Sequence, residues 1–344
     1  MREIIISECI AMLQRFNFIV SQTFGRSCFD ILARRNNLNY LIKILKNIDS
    51  LSNEQSMELI KISKILNATP LLIGLRTRNL PMEEGVVYER HNIKSITLKT
   101  FELYLRGSPP IVYAGRGGFF VNIEGNRLRT VREKLNISIG ELAEYSNVSR
   151  KMIYKYEQNM ANPTIEVALK IEEYLDVPLI KDIPLELDID FNEKAEREIC
   201  SRSNNLNKCK GEEYIEEEGE EGDFKLYVMD LFNQLGFNIT ETKRAPFDAV
   251  VEKEGIESAT VEEYGGEGLS NNSLLLTNIE ERETEETKKK MLIVNQLSSI
   301  LNSGSLLVLE KEDVDNINYV KTINIKRLEE MDDALELFYY ITNK

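Results

Sequence analysis

The sequence predicts a chain of mixed class, α/β plus all-α, in which two related α/β modules flank a central helical domain. Three observations predict it. Residues 1–108 alternate between helical and strand-like periodicity, residues 125–185 carry helix caps at helical spacing, and the section 224–344 repeats the order of the first. A length of 344 residues suits two or three domains better than one core.

In the first module, residues 4–16 read as an amphipathic helix. It leads to the alternating Phe18-Ile19-Val20 and to Phe29-Asp30-Ile31-Leu32, both strand-like. Residues 41–45 read as a further strand, 53–66 as a helix with one apolar face, and 71–75 as a short buried strand. Pro109-Pro110 break the pattern. Ile111-Val112-Tyr113 and Phe119-Phe120-Val121 then flank Ala114-Gly115-Arg116-Gly117-Gly118, a hairpin with a glycine turn that serves as a connector over 109–124. Arg116 reads either as a plain turn residue or as a contact to a phosphate or minor groove.

A second boundary is compositional. Between Gly211 and Asp223 stand eight acids and no base, a block that repels itself and reads as a solvated linker over 186–223. Beyond it, Leu235-Gly236-Phe237-Asn238-Ile239 and Phe247-Asp248-Ala249-Val250 echo Phe16-Asn17-Phe18-Ile19 and Phe29-Asp30-Ile31-Leu32. Leu45-Lys46-Asn47-Ile48-Asp49 matches Leu276-Thr277-Asn278-Ile279-Glu280. Ile65-Leu66-Asn67-Ala68-Thr69-Pro70-Leu71-Leu72 aligns without gaps to Ile300-Leu301-Asn302-Ser303-Gly304-Ser305-Leu306-Leu307. Matches in the same order indicate duplication of a whole domain.

The net charge of −14 stands against a nucleic-acid partner, but the acidic block supplies eight of those charges. Cys9, Cys28, Cys200 and Cys209 form no CxxC pair, and the single histidine, His91, is distant from them, so no zinc site and no other metal or cofactor is expected. Sparse cysteines suit a reducing compartment. No apolar run approaches the roughly 18 residues of a membrane span, and Glu8 interrupts the apolar N-terminus. A cytoplasmic protein without membrane contact is expected.

The central domain is the most informative. Leu128, Val131 and Leu135 share one helical face. Ser138 can cap a second helix, with Glu141 completing a capping box. Ala143 lets the next helix pack closely, Ser146-Asn147 make a turn, and Val148 fills the gap. Ser149 caps a third helix whose Met152, Ile153 and Tyr156 face inward while Arg150, Lys151, Tyr154 and Lys155 project outward. Asn162-Pro163-Thr164 open a fourth.

These residues resemble the Cro and phage-repressor (Xre-like) DNA-binding family, with the helix-turn-helix at about 138–158. The resemblance rests on Arg132-Glu133, Ser138, Leu142-Ala143, Val148-Ser149, Ile153, Tyr156-Glu157, Asn162-Pro163 and Leu175-Asp176-Val177-Pro178. Ile139 stands where that family often carries a phosphate-binding glutamine. From Asn126 to Asn159 seven bases face four acids, a local charge of +3 in an acidic chain. The resemblance implies a recognition helix entering the major groove N-terminus first. Arg150 and Lys151 are then placed for guanine edges, and Ser138, Ser149, Tyr154, Lys155, Arg127 and Arg129 for phosphates. The partner is double-stranded DNA, read by a homodimer; no residue identifies a small-molecule effector.

The order helix, strand, Phe-Asp, strand, helix, strand resembles the PD-(D/E)XK nuclease-like fold, whose enzymes hold Mg²⁺ on two carboxylates beside a lysine. Asp30 takes the aspartate's place and Lys46 the lysine's, but Ile44 stands where the second carboxylate belongs. The second module keeps Asp248, with Leu275 and Thr277 in the other places. Both modules therefore read as inactive folds kept for binding, dimerisation or effector sensing, and the chain as a non-enzyme. The whole arrangement resembles a family of archaeal HTH-type transcriptional regulators, through Gly85-Val86-Val87-Tyr88-Glu89-Arg90, Tyr113-Ala114-Gly115-Arg116-Gly117-Gly118 and the segment from Ser149 to Glu157. That implies a sequence-specific transcriptional regulator. Two alternatives stand beside it. One is a coactivator-like adaptor binding the basal machinery, because Tyr156-Glu157 and Asn162-Pro163 also resemble multiprotein-bridging coactivators. The other is a Mg²⁺-dependent nuclease acting through Asp30.

Overall fold

The computed structural model describes residues 2–22, 27–186, 220–253 and 274–342. Cys200, Cys209 and the acids from Glu212 to Glu218 lie outside them. By internal packing the chain divides into two units, one of residues 1–12, 43–53 and 70–191, the other of residues 13–42, 54–69 and 192–344.

The duplication is explicit in the order and ends of the elements. Helix α1 (Arg2–Arg15) ends at Asn17, whose φ of 60° lets Phe18 N close back on Leu13 O at 3.0 Å. The acidic-start helix of the repeat runs Glu220–Gln234, and Gly236 at φ 85° lets Phe237 N close on Phe232 O at 3.0 Å. That helix begins inside the acidic run, where the N-terminal end of the helix dipole favours acids.

Strands β1 (Ile19–Gln22), β2 (Ile31–Arg35) and β3 (Leu38–Asn47) form an antiparallel ladder with Ile31 opposite Ile42. Helix α2 (Asn53–Ile65) follows, and Asn67 at φ 44° turns the chain into β4 (Thr69–Arg76). In the repeat, β9 (Asn238–Glu241), β10 (Ala249–Glu252) and β11 (Leu274–Glu280) pair antiparallel in the same way. Helix α9 (Glu285–Leu301) then ends at Asn302, φ 53°, before β12 (Gly304–Leu309). Ser63 Oγ donates to Ile60 O at 2.7 Å, and its counterpart Ser298 Oγ donates to Asn295 O at 3.0 Å.

The strand order β1-β2-β3-β4-β6-β5 recurs as β9-β10-β11-β12-β14-β13, where β5 is Val86–Arg90, β6 Ile93–Ile96, β13 Asn316–Ile317 and β14 Val320–Asn324. The repeated sheet is covered by α8 (Glu220–Gln234), α10 (Ile325–Glu329) and α11 (Ala334–Thr342). They bury Val228, Phe232, Leu328 and Leu337 against Leu275, Ile279, Leu306 and Val308.

One expected match is corrected. Asp30 N donates to Ile42 O at 2.8 Å, and Asp248 N donates to Thr277 O at 2.9 Å. Ile42 therefore corresponds to Thr277, a separation of 235 residues that also relates Asn67 to Asn302. Aligning Leu45 with Leu276 slips this strand by four residues. Both strands are leucine- and isoleucine-rich, so their letters match in several registers, and only the hydrogen bonds distinguish them.

Segments of the two modules also pack together within the second unit. Arg34 Nη1 donates to Ile300 O at 2.8 Å, Cys28 N to Arg244 O at 2.6 Å, and Lys61 Nζ to Glu241 O at 2.8 Å. The first module's β1 and β2 lie against α9, and its α2 lies against the turn after β9.

The first unit joins its sheet to the helical domain. The elements β5, β6 and α3 (Leu98–Leu105) carry few sequence signals and escape the periodicity reading. Strand β7 (Val112–Gly115) pairs parallel with β5 and antiparallel with β8 (Gly118–Val121). The hairpin thus extends the sheet. No helix among the described residues is long and apolar enough to cross a membrane.

Candidate nucleic-acid interface

Four helices, α4 (Gly125–Lys134), α5 (Ile139–Tyr145), α6 (Arg150–Glu157) and α7 (Ile165–Leu175), close over Leu128, Leu142, Ala143, Ile153, Tyr156, Ala168 and Ile171. Val121 and Ile123 enter the same core, so β8 is built into this domain. Ser138 Oγ accepts from Glu141 N at 3.0 Å, and Ser149 Oγ from Met152 N at 3.3 Å. Each hydroxyl accepts one backbone bond and keeps its own proton for an outside acceptor. The return arm of the capping box does not form. The Glu141 carboxylate accepts instead from Tyr174 OH at 2.8 Å, because Tyr174 stacks on Tyr145 with ring centroids 4.3 Å apart.

Asn147 makes the turn at φ 57°, and Val148 packs partly buried against the core. Glycines that periodicity overlooks set the helix spacing. A Cβ on Gly125 would stand 2.3 Å from Tyr156 O and 2.8 Å from Glu157 O, so the start of α4 meets the end of α6 backbone to backbone. Its amide donates to Asn159 Oδ1 at 3.1 Å.

The orientation of α6 is fixed by a buried ion pair. Arg132 Nε lies 2.5 Å from Glu157 Oε1 and its Nη2 3.1 Å from Oε2, while Nη1 donates to Ile137 O at 3.0 Å. Glu157 holds the Arg132 guanidinium above its ordinary pKa. These two of the eleven local charges therefore neutralise each other inside the domain.

The predicted contact residues fall into two groups. Arg150, Lys151 and Tyr154 are exposed on one face of α6, with Lys155 half-buried beside them. Among the described residues Arg150, Lys151 and Lys155 form no ion pair. The Arg150 guanidinium lies over α5, where a Cβ on Gly140 would be 2.9 Å from its Nε. Arg127 and Arg129 are exposed on α4 but partly compensated. Arg129 Nε sits 2.9 Å from Glu133 Oε1, which raises its pKa, and Arg127 lies 3.9 Å from Glu124. Ile139, in place of the usual glutamine, packs against the core.

Residues 2–110 match the PD-(D/E)XK superfamily domain and residues 128–181 a helix-turn-helix. A protein of Methanococcus maripaludis is 53% identical over 344 residues, covering 100% of this chain and 98% of the relative. One of Methanocaldococcus jannaschii is 50% identical over 99% of this chain and 96% of its own length. One of Pyrococcus abyssi is 34% identical over 96% and 94%. All three carry the name of a proposed HTH-type transcriptional regulatory protein. The chain belongs to this family of archaeal HTH-type transcriptional regulatory proteins.

In the nuclease-like module the register around Asp30 differs from the sequence expectation. Ile42 lies across from Asp30, so the residues that flank it, Leu41 and Lys43, are the ones the register brings nearest that aspartate, rather than Ile44 and Lys46. In the repeat the same places hold Leu276 and Asn278. Leu41 and Leu276 are fully buried and offer no oxygen. Asp248 is instead bound within its own module, by Lys225 Nζ at 3.0 Å and Ile279 N at 2.9 Å.

Proposed function

We propose that this chain is a sequence-specific DNA-binding transcriptional regulator and not an enzyme. The observation that carries the reading is the division of α6. One face is locked in the core by Ile153, Tyr156 and the Arg132–Glu157 pair, and the other offers Arg150, Lys151 and Tyr154 without ion-pair partners among the described residues. A cationic helix face of this kind supplies both phosphate attraction and base-edge donors. Arg150 and Lys151 read base edges in the major groove. Ser138, Ser149, Tyr154 and Lys155 hold phosphates, with Arg127 and Arg129 contributing less because acids already face them.

The non-enzymatic reading is supported by Leu41 and Leu276, which stand near Asp30 and Asp248 and offer no second carboxylate for a metal. A homodimer would place two α6 helices in half-sites about 34–36 Å apart.

Enrichment of genomic fragments by the full chain tests the reading. It predicts recovery of a short, often palindromic sequence that is lost with Arg150→Ala plus Lys151→Ala. Recovery of polymerase or a basal factor without any enriched DNA would favour an adaptor instead. Mg²⁺-dependent cleavage abolished by Asp30→Ala would establish a nuclease.

A further inference from the structure

The hairpin β7–β8 carries a residue that the fold does not use. Gly115 pairs with Gly118, so Arg116 and Gly117 form a two-residue turn. Gly117 sits at φ 92° and Gly118 at φ 152°, conformations that require glycine, and a Cβ on Gly115 would be 2.8 Å from the Phe120 ring. Local geometry therefore explains every glycine of the tip. It does not explain Arg116, which is exposed and has no hydrogen bond or ion pair among the described residues.

The base of the hairpin is also held firmly to the helical domain. β7 is bonded along β5, Val121 N donates to Pro163 O at 3.1 Å, and Asn162 Nδ2 donates to Tyr113 OH at 2.7 Å. Residues 162–164, where the hairpin is anchored, closely follow the last residue of α6, Glu157. Arg116, in the turn beyond the Gly115–Gly118 pair, stands about three strand steps past Phe120, roughly 10 Å.

We propose that Arg116 is a second DNA contact, entering an A·T-rich minor groove beside the site read by α6. This rests on the DNA-binding reading above. A guanidinium flanked by side-chain-free residues suits a groove only about 6 Å wide, and narrow A·T tracts concentrate the negative potential that attracts arginine.

The test uses the full chain and two duplex pools with a randomised core, one with A·T-only and one with G·C-only flanks. Wild type should prefer A·T flanks, and Arg116→Ala should lose about tenfold on that pool and little on the other, with Arg116→Lys restoring only part. Equal losses on both pools would reassign Arg116 to phosphate and overturn the groove contact, as would no loss on either. Failure of wild type to bind any duplex would instead overturn the underlying DNA reading, and is seen without any variant.

Discussion

Arg132 and Glu157 form a two-pronged ion pair inside the helical domain, with the carboxylate only 2% and the guanidinium 9% exposed. It joins the end of α4 to the end of α6 across 25 residues. A buried pair of this kind does not add much net stability, but it penalises the loss of one partner heavily. Its consequence is positional: α6 cannot rotate its exposed face away without breaking it.

Glu157→Gln or Arg132→Met should therefore destabilise the domain by about 3–5 kcal/mol. The double variant Arg132→Met/Glu157→Leu should be less harmful than either single change. Hydrogen exchange of the full chain, followed at the amides of α4 and α6, measures this; a single variant that leaves protection intact would contradict the assignment.

Gly125→Ala should be damaging out of proportion to one methyl group. Its Cβ would meet the Tyr156 and Glu157 carbonyls, backbone atoms that cannot swing aside. Overpacking of this sort costs about 1–3 kcal/mol, readable as faster exchange in α4. Wild-type exchange would show that the helices can separate freely.

Gly140→Ala should behave in the opposite way. The group it meets is the flexible end of Arg150, so stability should change by no more than about 0.5 kcal/mol. Displacing that guanidinium should nevertheless weaken duplex binding several-fold. Unchanged affinity would show that the position of Arg150 over α5 is irrelevant to the contact.

What the sequence made legible divides along physical lines. The helix-turn-helix was readable because its signals are local: Ser138 and Ser149 cap within three residues, and Asn147 adopts its turn without outside help. The register around Asp30 was not, because β3 and β11 are near-continuous apolar runs whose register depends on a distant partner strand. The packing of the hairpin onto its neighbours was not legible for the same reason. Its bonds to β5 and to Pro163 are long-range, and nothing in Val112 or Val121 announces them. Gly125 and Gly140 stayed unnoticed since a close backbone approach leaves no periodic trace.

Burial pushes the Cys9 thiol up to about 12. Thiolate is the reactive form, so at pH 8 only about one part in ten thousand is ionised while the fold is intact. The folded state therefore suppresses reaction below pH 12, and unfolding restores it near the ordinary value. Peptide mapping after alkylation should show Cys9 unmodified in the native chain and modified in denaturant. Rapid native labelling would mean that α1 opens readily.

The most direct measurement of the central claim is duplex affinity of the full chain across a salt series, with and without Arg150→Ala plus Lys151→Ala. Wild-type log K should fall linearly with log salt, by about 0.9 for each phosphate neutralised, and the double variant should lose its preference among sequences. A chain whose α6 amides remain protected, yet which attaches to no duplex at any salt concentration, would contradict the claim that this helix face binds DNA.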